Sequence, residues 1–467
     1  MKRLVAVALV LFLAACTGSE PAPPPTPSTT APTPSATGTT VFGAHWDWNR
    51  YDAFQPYLRK LAGSATYHEL TWCAVERQQG QRDWTAVDQV ATRSRDLGIT
   101  LHLKIRVGVC WATGGTAQYT RGQANKTESA MPRDLATYKG FVDAVVRRYQ
   151  PYGVREYAIE NEVNAPSYWA GSTADYTKLV EAAAEAIRAA DPKALVVDSG
   201  ISSVAYGMGV ADRLLRAGQQ DQAAQAYQRY FQRRIGTRGQ KIPADAAAAM
   251  SVPENVRSLQ FLAATEALLD RKVVDVRQVH FYEHWTAVPD LMGYLSAENP
   301  AGTPIEAWEV GQFWRTPTGD DDARAGEMVK AVTQLVAAGV REVIWLPLAY
   351  NPNNRQGSEV RYGLLDPDGA ERVAGRMMAD LATAARGATA QPVSDKGLRG
   401  VAFRRGGEST LVVWSDGGPV TVPGGSGVSG AEVGKPPSTG DVKVTATPVL
   451  LRAAKDPAAI LATARSG

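Results

Sequence analysis

Eight short apolar runs, each followed by an amphipathic stretch, recur along residues 41–385, and this alternation leaves few folds open. The runs cover 41–48, 65–72, 99–107, 155–162, 194–200, 276–282, 303–309 and 341–349. Between them apolar residues return at helical spacing, as Phe54, Tyr57, Leu58 and Leu61 do. The pattern predicts helices over 51–61, 83–98, 132–149, 176–190, 288–295, 323–338 and 371–385. Strand and helix in regular alternation build an α/β parallel sheet, and eight such units close a TIM (β/α)8 barrel. An open doubly wound sheet would carry a glycine-rich phosphate loop after its first strand. The residues there, His45-Trp46-Asp47-Trp48-Asn49, include no glycine.

A bare barrel needs about 250 residues, and this chain has 467. Part of the excess is the polar, Ala- and Gln-rich segment 203–272, which reads as a helical enlargement of the fifth connection. The barrel is expected over 41–388. After Gln391 five short strand-like runs, at 400–404, 410–414, 420–422, 442–445 and 448–451, alternate with Gly-rich turns. They predict a small all-β, sandwich-like domain over 389–453. Residues 454–467 offer no clear partner and read as a tail.

The other end carries an address. Lys2 and Arg3 precede an apolar run over 4–15, too short for a bilayer span of about 20 residues and typical of a secretory signal. It ends in Leu13-Ala14-Ala15-Cys16, which resembles the lipobox of bacterial lipoproteins. That resemblance implies cleavage before Cys16, acylation of Cys16 and an extracytoplasmic, lipid-anchored protein in a bacterial envelope. Eighteen of the 24 residues over 17–40 are Pro, Ser or Thr, so this segment cannot build a core and reads as a disordered tether. The formal charge is +3, or +1 once Lys2 and Arg3 leave with the signal, which argues against nucleic acid as a partner. Three Cys and five His leave little material for a metal cluster. No metal and no cofactor is expected, and a monomer is.

Active-site residues of a TIM barrel sit at the C-terminal ends of its strands. The fourth run ends in Glu160-Asn161-Glu162 and the seventh in Trp308-Glu309-Val310-Gly311. With these residues the chain resembles the retaining glycoside hydrolases of clan A, the 4/7 superfamily, which carry Asn-Glu at strand four and Glu-x-Gly at strand seven. A stretch after strand two, Trp72, Glu76, Gly80, Asp83-Trp84 and Asp88, resembles several clan families including family 39. The terminal β domain with Thr447-Pro448-Val449-Leu450 is similar to that of family 39 and its relatives. The resemblance implies a poly- or oligosaccharide substrate, Glu162 as acid and then base, Glu309 as nucleophile, and Asn161 on the sugar 2-hydroxyl. The chemistry asks for such a pair, with carboxyls about 5–5.5 Å apart. A catalytically silent, glycan-binding barrel is the alternative. A metal-dependent barrel hydrolase would want His-x-His on strand one, where His45-Trp46-Asp47 stands.

Nine of the eleven Trp lie on or just after predicted strands, and indole faces suit sugar C–H surfaces. Trp72, Trp111, Trp169 and Trp345 are the sugar-binding candidates; Trp308 alternates with Glu309 and can point outward. His280 and Tyr282 share one face of strand six, either as a satisfied interior pair or with His280 assisting catalysis and Tyr282 holding ligand. His45 and Asp47 could hold sugar hydroxyls or each other. The clan commonly has an Arg on strand two, where His68 stands here. Strand three offers His102, Lys104 and Arg106 toward the interior, and Arg106 is the expected replacement cation, with Glu160 or Glu306 as its other partners. Cys73 follows strand two and Cys110 strand three, so the two are expected near one rim, joined as a disulfide, with two buried thiols as the alternative.

Overall fold

The computed structural model describes residues 38–114, 120–121, 126–235, 242–314, 321–351, 355–356, 359–424, 427–432 and 436–466. Cys16, the signal segment and all but the last residues of the tether lie outside them.

Eight parallel strands occur in chain order: β1 Phe42–Ala44, β2 Ala65–Thr71, β3 Thr100–Arg106, β4 Glu156–Ile159, β5 Leu195–Val197, β6 Arg277–Phe281, β7 Ile305–Val310 and β8 Val343–Trp345. Strands β2 to β5 pair successively, as do β6, β7, β8 and β1. Bridges Val197↔Val276 and Ile201↔Val279 join β5 to β6. Thr66 Oγ1 donates to Ala44 O at 2.9 Å across the seam between β1 and β2, which completes the ring. The fold is a TIM barrel.

Helices start where the caps permit. After α1 Tyr51–Leu58 and α2 Thr85–Leu97, Asp134 accepts from the Ala136 and Thr137 amides, so α3 is Leu135–Tyr149 rather than starting at Pro132. A capping box of Ser172 and Asp175 opens α4 Thr173–Ala190 one turn earlier than the apolar spacing indicates. The enlarged fifth connection is helical, with α5 Ser203–Arg216, α6 Gln220–Tyr230 and α7 Pro253–Asp270. None of the described helices is long and apolar enough to cross a membrane.

Inside the barrel Tyr67, Ala158, Val197, Val276, Trp308 and Ile344 pack together, and His102 stacks on Trp308 with ring centres 4.8 Å apart. Trp308 therefore faces inward. Below it His102, Glu156, Glu306 and Glu342 converge, with Arg341 on Glu306 and Glu156. Burial pulls the His102 pKa down, but Glu342, Glu156 and Glu306 outweigh it and raise it to about 9. This group is Glu306's setting; it is not a partner of Arg106.

The C-terminal domain has two antiparallel sheets. Five strands, Thr389–Asp395, Leu398–Arg405, Glu408–Ser415, Val449–Ala453 and Val428–Glu432, form one in that spatial order; Val442–Val444, Val420–Val422 and Arg465–Ser466 form the other. Leu398, Leu411, Val413, Val444 and Leu451 lie between them. The expectation of an unpartnered tail is corrected here. Residues Pro457–Leu461 form a helix that buries Ile460 and Leu461 in this core, and Arg465–Ser466 pairs with Val420–Val422. Two apolar side chains on one short turn are too brief a pattern to read in sequence, yet they close the gap between the sheets.

Cys73 and Cys110 form a disulfide, Cα atoms 5.6 Å apart. The two cysteines are separated by 37 residues in sequence, and closing a loop of that length restricts the unfolded chain by about 3–4 kcal/mol in the chain-entropy model.

Candidate active site

The site begins with two departures from regular strand geometry. Strand β4 stops at Ile159, and Glu160 and Glu162 on either side of Asn161 adopt left-handed backbone, φ 69° and 42°. Non-glycine residues hold such angles only when their surroundings fix them, at about 1–3 kcal/mol each. Glu160 supplies the fixing: its amide donates to Ile105 O at 3.0 Å, and its carboxylate accepts from the Val107 amide at 2.7 Å. Strand β7 carries the second departure. Gln278 pairs with Glu306 and His280 with Glu309, so two residues of β7, Ala307 and Trp308, stand opposite Val279. This β-bulge shifts the alternation by one. Trp308 and Glu309 both face the barrel axis as a result.

Glu162 and Glu309 then meet around His280. One oxygen of each carboxylate and a ring nitrogen of His280 all lie within 4.8 Å of one another. His280 Nδ1 is 3.0 Å from Glu162 Oε1 and 3.5 Å from Glu309 Oε2. The other ring nitrogen has a defined state. Gln278 Nε2 donates to the Asp198 carbonyl at 2.9 Å, so Gln278 Oε1 accepts from His280 Nε2 at 3.0 Å, and that nitrogen carries a proton. Gly200 makes room for this arrangement: a Cβ there would come within 2.3 Å of His280 Nε2.

Glu309 sits among donors. Lys104 Nζ lies 2.8 Å from Oε1, the Tyr282 hydroxyl donates to Oε2 at 2.9 Å, and the Tyr67 hydroxyl faces it as well. Burial pushes its pKa up, but His280, Lys104 and Arg361 more than reverse this and hold it well below the ordinary carboxylate range. Burial and Glu309 raise the Tyr282 and Tyr67 phenols, which stay protonated and able to donate. The Glu-x-Gly spacing has a packing reason: a Cβ on Gly311 would approach the Tyr282 ring to 2.7 Å. Asn161 Oδ1 accepts from Lys104 Nζ at 2.6 Å, and its buried Nδ2 has no partner among the described residues. The Glu162 side chain is 18% exposed against 7% for Glu309, so Glu162 is the more open of the pair.

Several expectations are corrected. The cation on Glu309 is Lys104, not Arg106. Arg106 lies one layer nearer the rim, between Glu160 (3.4 Å) and Glu69 (3.7 Å), with its guanidinium on the Tyr168 carbonyl. Tyr282 engages Glu309 rather than presenting itself to ligand. Trp72, Trp169 and Trp345 are at most 1% exposed and offer no open face; their indole N–H groups donate to Glu76, the Ser172 carbonyl and the Tyr362 carbonyl. Trp111 is half-buried edge-on against Trp72 and donates to the Glu76 carbonyl. Glu76 also accepts from the Gly80 amide and Arg82, and Asp88 holds Arg148. The stretch from Trp72 to Asp88 is thus a clamp on the loop after β2, centred on Glu76.

His45 stacks on Tyr67, ring centres 4.2 Å apart, with Nδ1 on the Tyr67 carbonyl. Asp47 is exposed and accepts from the Asn49 amide. Both line a cavity of about 540 Å3 together with Trp46, Trp48, His68 and Glu69. His68 sits on the outer face of β2, edge-on to Trp48. Sequence reasoning missed Lys104 as the partner of Glu309, the Asp198–Gln278 support of His280, and Arg361, whose guanidinium lies over the Tyr282 and Phe313 rings at 5.2 and 5.3 Å. The parity of β3 pointed to Lys104 but could not rank it against Arg106.

No family model matches this chain, and no curated protein matches it. Solved structures do. A family 39 glycoside hydrolase from the gut symbiont Bacteroides cellulosilyticus WH2 superposes with TM-score 0.58 at 14% identity, over 89% of this chain and 81% of the other. A family 39 β-xylosidase from Caulobacter crescentus gives 0.54 at 15%, over 91% and 98%. A family 30 endoxylanase from Clostridium papyrosolvens C71 gives 0.53 at 12%, over 89% and 96%. This chain shares their fold.

Proposed function

We propose that this protein is a retaining glycoside hydrolase acting on a poly- or oligosaccharide. The observation that carries the reading is the pair Glu162 and Glu309, with oxygens within 4.8 Å of each other across His280 and Glu309 held ionised. Retaining enzymes use carboxyls about 5–5.5 Å apart, whereas inverting enzymes separate them by roughly 6.5–9.5 Å to admit a water. In this reading Glu309 attacks the anomeric carbon while Glu162, the more open carboxyl, protonates the departing oxygen. Glu162 then takes a proton from water as the glycosyl ester breaks. Asn161 Nδ2 meets the 2-hydroxyl.

A panel of 4-nitrophenyl glycosides, including the β-D-xyloside suggested by the similar solved structures, tests the activity. NMR of the first-formed product should show the anomeric configuration of the substrate. An inverted product removes Glu309 from the nucleophile role, and a barrel that binds glycans without cleaving any of them favours the silent-barrel alternative.

The site is proposed to work outside the cytoplasm on a lipid anchor at Cys16, as the Leu13–Cys16 motif and the Pro/Ser/Thr tether support. In a bacterial host the mature chain should fractionate with membranes, and Cys16→Ser should release it. A freely secreted mature chain with unmodified Cys16 would refute the anchor.

A further inference from the structure

We infer that Lys104 shortens the life of the glycosyl-enzyme, because its charge favours the carboxylate form of Glu309 over the ester. The inference rests on the reading of Glu309 as nucleophile. The Lys104 side chain is fully buried and crosses the barrel interior to groups carried by three other strands: Glu309 Oε1 on β7 at 2.8 Å, Asn161 Oδ1 after β4 at 2.6 Å and His280 Nε2 on β6 at 3.3 Å. The ammonium also lies 4.3 Å from the centre of the Tyr67 ring. Among these partners Glu309 is the anion. Asn161 and Tyr67 are neutral, and His280 Nε2 carries a proton.

In the first step an electron pair of a Glu309 oxygen attacks C1. The bond from C1 to the leaving oxygen breaks, its electron pair stays on that oxygen, and the oxygen takes the proton of Glu162. Glu309 is then an uncharged ester, the negative charge has moved to Glu162 on the far side of His280, and Lys104 has lost the anion it touched. In the second step the Glu162 carboxylate takes a proton from water as the water oxygen attacks C1. The electron pair of the ester bond returns to Glu309, and the ion pair with Lys104 re-forms. A cation in this position opposes the first step and assists the second, because a buried charge is costly once its partner is neutralised. Water does not reach Lys104 to compensate. The same contact pins Asn161 Oδ1, which leaves Nδ2 turned toward the sugar through both steps. Lys104 is thus a positioning residue that also sets the balance between the two steps.

The groups facing Glu309 are Tyr67 from β2, Lys104 from β3, Glu162 after β4, His280 and Tyr282 on and after β6, and Arg361 from the rim. Removing Lys104 takes away a stabiliser of the carboxylate, so the acid limb of kcat/KM should move to higher pH. The test compares wild type, K104Q and K104R on 2,4-dinitrophenyl β-D-xyloside, or on the dinitrophenyl glycoside of the panel sugar turned over fastest. Wild type should release dinitrophenol linearly from the first turnover. K104Q should show a burst approaching one equivalent and a mass increase of one glycosyl residue. Its kcat should fall about 100-fold or more, while kcat/KM falls by less than about tenfold. K104R, which restores the charge, should lose the burst. K104M carries the same expectation as K104Q and replaces it if K104Q does not fold by circular dichroism. Parallel losses in kcat and kcat/KM without a burst, in a folded charge-neutral variant, overturn the inference; so does a burst of equal size in wild type. Failure of wild type on every glycoside of the panel sinks the glycosidase reading and this inference with it.

Discussion

Glu309→Ala should abolish turnover, with kcat down by about 10⁴- to 10⁶-fold, the range seen when a covalent nucleophile is removed. The size of the effect follows from the lack of a substitute. In the proposed mechanism Glu162, on the other side of His280, is committed to protonation, and Lys104, Tyr67 and Tyr282 are donors rather than nucleophiles. Azide offered to Glu309→Ala should enter the vacated space and give a glycosyl azide of inverted configuration. The stability change is separable. Removing one partner of a buried ion pair costs about 3–5 kcal/mol, so Glu309→Ala should melt below wild type. Glu309→Gln, which keeps an oxygen for Lys104 and Tyr282, should melt closer to it while remaining inactive. An unaffected rate in either variant would falsify the assignment.

Glu162→Ala should fail differently. General acid and base catalysis contributes about 10²- to 10⁴-fold, and here it acts on both steps. With a leaving group that needs protonation, such as a methyl or disaccharide aglycone, kcat/KM should fall across that range. With 2,4-dinitrophenolate, which departs without a proton, kcat/KM should change little while kcat falls, because water then lacks its base. Azide should restore kcat and yield a glycosyl azide of retained configuration. Equal losses for good and poor leaving groups would show that Glu162 does not serve as the acid. The opposite stereochemistry of the two azide products separates the residues without reference to any other protein.

The architecture was legible because barrel strands and helices are local patterns. Eight apolar runs, each with a helix at 3.6-residue spacing, survive whatever the rest of the chain does, and the order of strands in a parallel barrel follows the order in the sequence. Asn161-Glu162 and Glu309-Val310-Gly311 could be assigned to strand ends for the same reason. So could the Cys73–Cys110 pairing, since consecutive barrel strands are neighbours. What the residue types at those ends meant was a matter of resemblance, and the geometry added the close approach of two carboxylates around His280.

Parity was reliable on β3, where His102, Lys104 and Arg106 all turn inward. It failed on β7, because a bulge is set by the registers of β6 and β8 together and leaves no mark on β7 itself. Trp308 consequently joins the interior beside Glu309 instead of alternating with it. The aromatic residues failed for a different reason. A Trp beside a strand end can cover a sugar or fill a gap between loop and helix, and Trp72, Trp169 and Trp345 fill gaps because Glu76 and two backbone carbonyls accept their N–H groups. The sequence by itself determined the order of elements, the barrel and the positions of its carboxylates. Only the tertiary structure decided that Lys104 and not Arg106 neutralises Glu309. Both are inward-facing cations two residues apart, and the choice depends on the height in the barrel at which β7 delivers its carboxylate, a long-range register that no local pattern encodes.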